Sequence, residues 1–354
     1  MNELLRCEEL RRTFTRRGLL DGTEVVAVDR VSFRLGVGET LGIVGESGCG
    51  KSTLGRLVLR LLELSAGKVL FDGDDISHLG PRAMRSTRRK MQAVFQNPFA
   101  SLNPRFSIRQ ILEEPYRAHH LSPPAGWNAR LADLLEQVGL DEGILGRFPA
   151  ELSGGQLQRV AIARSLALEP KLIVADEPTS ALDVSIQAQI LNLFARVQQR
   201  SGVSYVFISH NLNVVEHLSD QVAVMYLGCF VETAPSAYLY ARPLHPYTQA
   251  LLSAVPATDP VVERSRAAVT ATEEPPDPSR IPNGCRFHPR CPIAEPLCSE
   301  HEPNLRDIGG GHQVACHFAP ERTEEKGRSI AAALAVRHRQ PPVNMQATIA
   351  RAPL

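Results

Sequence analysis

Nine consecutive residues, Gly45-Glu46-Ser47-Gly48-Cys49-Gly50-Lys51-Ser52-Thr53, have the types and spacing that phosphate chemistry demands. A glycine, four residues and then Gly-Lys-Ser is the pattern of a loop that turns its backbone N–H groups inward on an anion. Gly45, Gly48 and Gly50 permit the tight turn at the positive end of a following helix, and such a nest favours polyphosphate. Lys51 adds a point charge for the β- and γ-phosphates. The Ser52 hydroxyl is placed to ligate a magnesium ion bridging them.

A second group of polar residues follows at longer range. Asp176-Glu177 closes the apolar run Leu172-Ile173-Val174-Ala175, and two carboxylates at a strand's C-terminal end are where nucleotide chemistry belongs in an open α/β sheet. The first can hold magnesium, and the second can orient or polarise an attacking water. His210 ends another apolar run, Tyr205-Val206-Phe207-Ile208, and beside the other groups becomes a candidate sensor of the γ-phosphate. Gln96 opens a polar, proline-punctuated loop over residues 97–105. Ser153-Gly154-Gly155-Gln156 stands before the apolar helix face of Val160, Ile162, Ala163 and Leu166. Taken alone, Ser-Gly-Gly is a common helix-capping turn.

The elements that must position these groups are legible around them. Leu41-Gly42-Ile43-Val44 reads as a buried strand before the phosphate loop, and Leu54, Leu57, Val58, Leu61 and Leu62 recur at helical spacing after it. Residues 3–38 read as short antiparallel strands with a turn, since Val26, Val28, Val31, Phe33 and Leu35 roughly alternate with polar neighbours. Phe14 in this stretch could stack on an adenine face, or serve as one more aromatic of the sheet. Residues 68–73 and 91–96 predict further strands, and 107–152 a mainly helical insertion.

Composition bounds the alternatives. The 354 residues are 43 % hydrophobic, enough for one large or two ordinary domains. Lys+Arg 39 against Asp+Glu 38 leaves a formal charge of +1, which argues against a general nucleic-acid binder. No apolar run approaches the roughly 18 residues of a transmembrane helix and the first residues lack a signal-peptide core, so a cytosolic chain is expected. Seven cysteines in a reducing compartment predict free thiols or metal ligands rather than disulfides.

Jointly, the phosphate loop, Gln96, Leu152-Ser153-Gly154-Gly155-Gln156, Asp176-Glu177, Ser180-Ala181-Leu182-Asp183 and His210 resemble the nucleotide-binding subunit of an ATP-binding-cassette (ABC) transporter over about residues 3 to 250. More narrowly, residues 95–105, Ser52-Thr53-Leu54-Gly55-Arg56 and His245-Pro246-Tyr247-Thr248-Gln249-Ala250-Leu251-Leu252 resemble the ATPases of oligopeptide/dipeptide and nickel importers, with wording closer to the second, F-type subunit of the pair. The resemblance implies an α/β P-loop fold with an antiparallel β-subdomain, a parallel core sheet and a helical subdomain at about 97–152. It also implies a nucleotide-binding domain over 1–256 and a small cysteine-bearing extension over 257–320. Within the latter, residues 271–282, rich in Pro and Glu, read as a linker, and the charged, then Ala- and Arg-rich, residues after Pro320 predict a disordered tail over 321–354.

By the same resemblance two such domains meet head to tail, and Ser153, Gly154, Gly155 and Gln156 contact the γ-phosphate bound to the partner chain. Gln96 would link magnesium and water to the transporter, Glu177 would be the catalytic base, His210 would hold Glu177 and the γ-phosphate in register, and Asp183 would help join the halves. Leu157 and Asn211 depart from the residues frequent in the family, and neither replaces a catalytic group. The expected function is ATP hydrolysis powering a peptide importer at the cytoplasmic face of the cell membrane. The expected partners are a related ATPase rather than a second copy, two integral-membrane permease subunits and, indirectly, an extracytoplasmic binding protein. Nickel is the alternative cargo. A soluble cassette ATPase acting on nucleic acid or ribosomes is the alternative class, against which stand the single phosphate loop and the lack of a sustained heptad pattern.

Cys285, Cys291, Cys298 and Cys316 crowd one stretch, with five, six and seventeen residues between them. The spacing is not the paired Cys-x-x-Cys of most zinc knuckles, and four thiolates can equally hold a [4Fe–4S] cluster, as Cys291-Pro292 suggests. Four thiols without a metal is the third reading. The stretch is similar to the C-terminal extension of peptide-importer ATPases, which implies the iron–sulfur cluster ahead of zinc.

Overall fold

The computed structural model describes residues 3–17, 22–254 and 280–330. They divide into two compact units, one running to Phe230 and taking in 280–281, the other comprising 231–254 and 282–330.

In the first unit, β1 (Glu3–Arg17) and β2 (Gly22–Gly36) pair antiparallel in a four-stranded sheet of order β2-β1-β4-β5, with β4 at Ala66–Phe71 and β5 at Asp74–Asp75. The antiparallel sheet is the expected one, but its first two strands are 15 residues each rather than short. Register shifts between Cys7 and Leu10, and again between Leu10 and Arg12, explain why. A bulge adds an unpaired residue and bends the strand, so the alternation restarts and one long strand reads as several.

The second sheet of this unit is parallel, in the order β9-β3-β8-β7-β6. Its strands are β3 (Thr40–Val44), β6 (Met91–Val94), β7 (Leu172–Asp176), β8 (Ser204–Ser209) and β9 (Gln221–Tyr226). Every residue of β3, β7 and β8 is buried. Helices cover both faces of a parallel sheet, which is why these strands are continuous apolar runs instead of alternating ones. The register places Ile43 beside Ile208, and Asp176 beside Ile208 on the other side. Val44, Asp176 and Ser209 therefore end at one edge, where the loops that follow converge.

Helices α1 (Lys51–Val58), α2 (Pro81–Lys90), α3 (Pro98–Ser101), α4 (Ile108–Ala118), α5 (Trp127–Val138), α6 (Gly154–Leu166), α7 (Val184–Ser201) and α8 (Leu212–Leu218) complete the unit. The predicted helical insertion is α4, α5 and two 3-10 turns. Ser107 and Gln110 close a reciprocal capping box at the start of α4. The Tyr116 and Trp127 rings meet edge to face at 5.5 Å, which joins α4 to α5.

In the second unit β10 (Cys229–Pro235), most of which lies here, pairs with β12 (Gln313–Val314), and β12 with β11 (Arg306–Asp307). Helices α9 (Ser236–Ala241) and α10 (Pro246–Ser253) follow β10. Residues 231–254 thus belong with the C-terminal segment, although the sequence resemblance placed the boundary at 257. A buried carboxylate ties these segments together. Glu232 accepts from the N–H groups of Leu244 (2.7 Å) and His245 (2.9 Å), and lies 2.7 Å from His312 Nε2. Glu232 and His312 are 0 % and 2 % exposed, a burial that a carboxylate tolerates only with its oxygens satisfied. Residues 324–330 are helical, and the Thr323 carbonyl accepts from Gln249 Nε2 at 2.8 Å. Most of the expected linker, and the tail from 331, lie outside the described residues.

Ile173 sits fully buried in β7, between β8 and β6. Ile173→Ala should lower the unfolding free energy of the first unit by about 2–5 kcal/mol, the range for emptying a well-packed core site. Guanidinium titration of the variant against the parent protein measures it.

Candidate nucleotide site

The phosphate loop joins β3 to α1, as the flanking patterns predict. Its glycines are required by geometry: Gly50 has φ +108°, and a Cβ there would lie 2.1 Å from the Ala27 carbonyl oxygen. A Cβ at Gly45 would lie 2.2 Å from the Met225 carbonyl oxygen. No L side chain fits either contact. The loop is further tied down by the Gly228 N–H, which donates to the Cys49 carbonyl at 2.9 Å, and by the Asp29 N–H, which donates to Gly228 at 2.8 Å.

Lys51 is only 4 % exposed. Its Nζ donates to the carbonyls of Gly45 and Glu46, both at 2.8 Å, so the ammonium is held inside the arc of the loop. Ser52 Oγ donates to Asp176 Oδ1 at 2.8 Å, bringing together the two magnesium-ligand candidates across 124 residues of sequence. Burial pushes the Asp176 carboxyl above the usual range and the Ser52 hydrogen bond pulls it back. A buried carboxylate paired with a hydroxyl, close to a lysine and a loop of N–H groups, fits a hard divalent ion bound with phosphate oxygens.

Glu177 is the centre of a second cluster. Gln96 Nε2 donates to its Oε2 at 3.3 Å, and His210 Nδ1 lies 3.2 Å from the same oxygen. Glu177 has φ +48°, a conformation uncommon for a non-glycine residue and a mark of local backbone strain at functional sites. Its N–H donates to the Ile208 carbonyl at 2.9 Å, which fixes that turn against β8.

A cavity of about 380 Å³ runs between the two clusters; its lining includes Ser47, Lys51, Ser52, Thr53, Gln96 and Glu177, but not Asp176 or His210. Sequence reasoning missed part of its wall: Val25, Val26 and Ala27 of β2, with Leu227 and Gly228 of the turn before β10, line the opposite side. The signal was present in Leu227-Gly228, a turn between two apolar runs, but no chemistry marks it. Phe14 does not line the cavity. It sits on β1 opposite Val25, 36 % exposed, with the Arg12 guanidinium 4.7 Å over its ring.

The cavity does not include Ser153, Gly154, Gly155, Gln156 or Asp183. Ser153 caps the 13-residue helix α6 through a reciprocal box with Gln156, which takes up the N–H groups of Ser153 and Gln156 and none of those of Gly154 and Gly155. Gly155 packs where a Cβ would meet Ile186 Cγ2 at 2.9 Å, and Gly154 where it would meet Leu182 Cδ2 at 3.6 Å, so the start of α6 lies against the turn carrying Asp183. Val184, next to Asp183, is 82 % exposed.

The expectation of an iron–sulfur cluster is not upheld. Among the described residues no group of three or more His, Cys, Asp or Glu side chains is arranged to hold a metal ion, and Cys285, Cys291, Cys298 and Cys316 are free thiols. The chain does bring two of them together through backbone, since the Cys285 N–H donates to the Cys298 carbonyl at 2.7 Å. Burial pushes the Cys285 thiol up to about 12 and the Cys291 thiol up to about 11, and raises Cys316 as well. With no such arrangement of side chains among the described residues, the [4Fe–4S] reading and its zinc alternative both lapse.

A phosphate loop at the end of β3, paired carboxylates at the end of β7, a histidine at the end of β8 and a capped Ser-Gly-Gly helix define a P-loop ATPase of the ABC type. Comparison with known proteins agrees. A family model described as ABC transporter matches residues 28–180, and one described as the oligopeptide/dipeptide transporter C-terminal region matches 231–298. The oligopeptide transport ATP-binding protein AppF of Bacillus subtilis (strain 168) is 52% identical over 296 residues, 83% of this chain and 90% of its own. The probable peptide ABC transporter ATP-binding protein y4tS of Sinorhizobium fredii is 49% identical over 313 residues, 88% of each chain. A solved dimer of the ATP-binding cassette MJ0796 in a post-hydrolysis state with ADP and Pi superposes with TM-score 0.59 at 28% identity, covering 66% of this chain and 99% of that one. The chain belongs to the ABC transporter family, as an ABC ATPase that carries the C-terminal region of the oligopeptide/dipeptide transporters.

Two outcomes follow from this geometry. Lys51→Ala should weaken ATP binding on the order of 10–100-fold, as loss of a charge-assisted contact implies, in a fluorescent-nucleotide titration. Alkylation of Cys285 and Cys291 by iodoacetamide should be slow at neutral pH and rise about tenfold per pH unit toward their raised pKa values, because only the thiolate reacts. Mass spectrometry of pulsed samples follows both sites.

Proposed function

We propose that this chain is the ATP-hydrolysing subunit of a peptide importer, acting at the cytoplasmic face of the cell membrane. The observation that carries the hydrolytic part is Glu177 held on one oxygen by Gln96 and His210 at 3.3 and 3.2 Å. With that oxygen engaged, the other is the base for a water proton, and the strained backbone turn keeps the carboxylate aimed. Magnesium, when bound with ATP, supplies charge neutralisation at the phosphate oxygens. Ser52 and Asp176 would hold it, with Gln96 at its edge, while Lys51 and the loop N–H groups orient the phosphates.

Ser153, Gly154, Gly155, Gln156 and Asp183 belong to a second site in this reading. They lie on α6 and the turn before α7, away from the chain's own cavity, and a capped helix start offers N–H donors to an anion brought by another subunit. A related ATPase, of which this chain is the F-type member, is preferred as that subunit over a second copy. Closure of the pair would drive two permease subunits fed by an extracytoplasmic binding protein. Peptide is preferred to nickel as cargo because the relatives' names speak of oligopeptide or peptide transport. Those relatives lend no support to a role on nucleic acid or ribosomes.

Glu177→Gln keeps the shape of the side chain and removes the base. It should bind ATP with parent affinity and lose turnover by about 10²–10⁴-fold, the usual worth of a positioned general base. Phosphate release measured beside nucleotide binding decides it, and parent-like hydrolysis would remove Glu177 from its role.

A further inference from the structure

The chain's formal charge of +1 conceals one strongly cationic element. Helix α2 carries Arg82, Arg85, Arg88, Arg89 and Lys90 in ten residues and no acid. All five are exposed, and Met84 alone is buried. At about 100° per residue, the four arginines fall within one arc of roughly 120°.

Most of this charge is uncompensated. Lys90 pairs with Asp72 at 2.7 Å, but Asp72 is shared with Lys171, also at 2.7 Å. Arg85 donates to the Ala118 carbonyl, a neutral acceptor at the end of α4. Among the described residues Arg82, Arg88 and Arg89 make no ion pair. The crowding is felt next door: His119 is held below the usual imidazole range, first by burial and then by Arg85 and Arg89.

We propose that the arginine face of α2 is a docking surface for a membrane bearing anionic phospholipid headgroups. Guanidinium groups match phosphate oxygens with paired donors and shed their hydration more readily than lysine. A short helix with four to eight basic residues on one side is suited to an anionic bilayer surface. No aromatic residue interleaves the arginines, as stacking on nucleic acid bases would require. The surface would hold the subunit at the bilayer independently of its permease contacts. The inference takes its location from the membrane-face reading above, but lipid affinity is measured on the isolated chain, so either can fail alone.

The test is co-sedimentation of the full chain with vesicles of phosphatidylcholine, with and without phosphatidylglycerol. The chain should sediment only with the anionic vesicles and be released when salt is raised to roughly 0.5 M, where screening is short-ranged. The triple variant Arg82→Gln, Arg88→Gln, Arg89→Gln should bind them on the order of 100-fold more weakly, three surface charges' worth, with ATP binding unchanged. Should the triple variant misfold, Arg88→Gln with Arg89→Gln should still weaken binding on the order of tenfold. Failure to bind phosphatidylglycerol vesicles, binding insensitive to salt, or variants that bind like the parent would overturn the proposal. So would binding to polyglutamate or RNA with none to the vesicles, since the face would then serve an acidic macromolecule.

Discussion

A lysine ammonium that is 4 % exposed must be ringed by acceptors or lose its charge, and the architecture of the first unit is an answer to that requirement at Lys51. Two loop carbonyls at 2.8 Å take its protons. Those carbonyls face inward only because Gly45 and Gly50 bring the loop against the backbone of Met225 and Ala27, where no side chain fits. The strands that supply these walls, β2 and β9, are thus as necessary to the lysine as the loop itself. Asp176, raised by its burial and steadied by Ser52, completes a small polar enclosure in an otherwise apolar sheet edge.

The two carboxylates at the end of β7 are neighbours in sequence but face different tasks. Asp176 is the last residue of a fully buried strand and turns toward α1. Glu177 leaves the strand through a left-handed backbone turn and meets Gln96 and His210, which come from the ends of β6 and β8. One change of backbone conformation separates metal-ligand candidate from base candidate. The signature segment stands apart from both, so a single chain carries the two kinds of surface that a head-to-tail pair would need.

Most of the site was legible because its parts are local. Loop glycines, strand-end carboxylates and the Ser153 to Gln156 capping box are each set by residues within a few positions, and the buried parallel strands announce themselves as apolar runs. What was not legible depends on pairings far apart in the chain. The joining of 231–254 to the C-terminal segment involves Glu232 finding Leu244, His245 and His312, and no local pattern marks a carboxylate as buried. The four cysteines were misread for a similar reason: their sequence clustering says nothing about whether the thiols converge or how deeply they are buried. The arginines of α2 were masked by averaging, since a net charge of +1 describes no surface in particular.

The buried node at Glu232 also imposes an order on synthesis. When the ribosome has made the chain through α10, the carboxylate already has its two backbone donors, Leu244 and His245, but not the imidazole of His312. Until the β12 segment emerges, one edge of β10 is unpaired and Glu232 Oε1 has only the Leu244 N–H, without the imidazole that later shares it. The first unit, whose strands all precede β10, has by then its complete set of sheet partners. The nucleotide-binding part can therefore mature on the ribosome ahead of the C-terminal part, which must wait for nearly its last described residues.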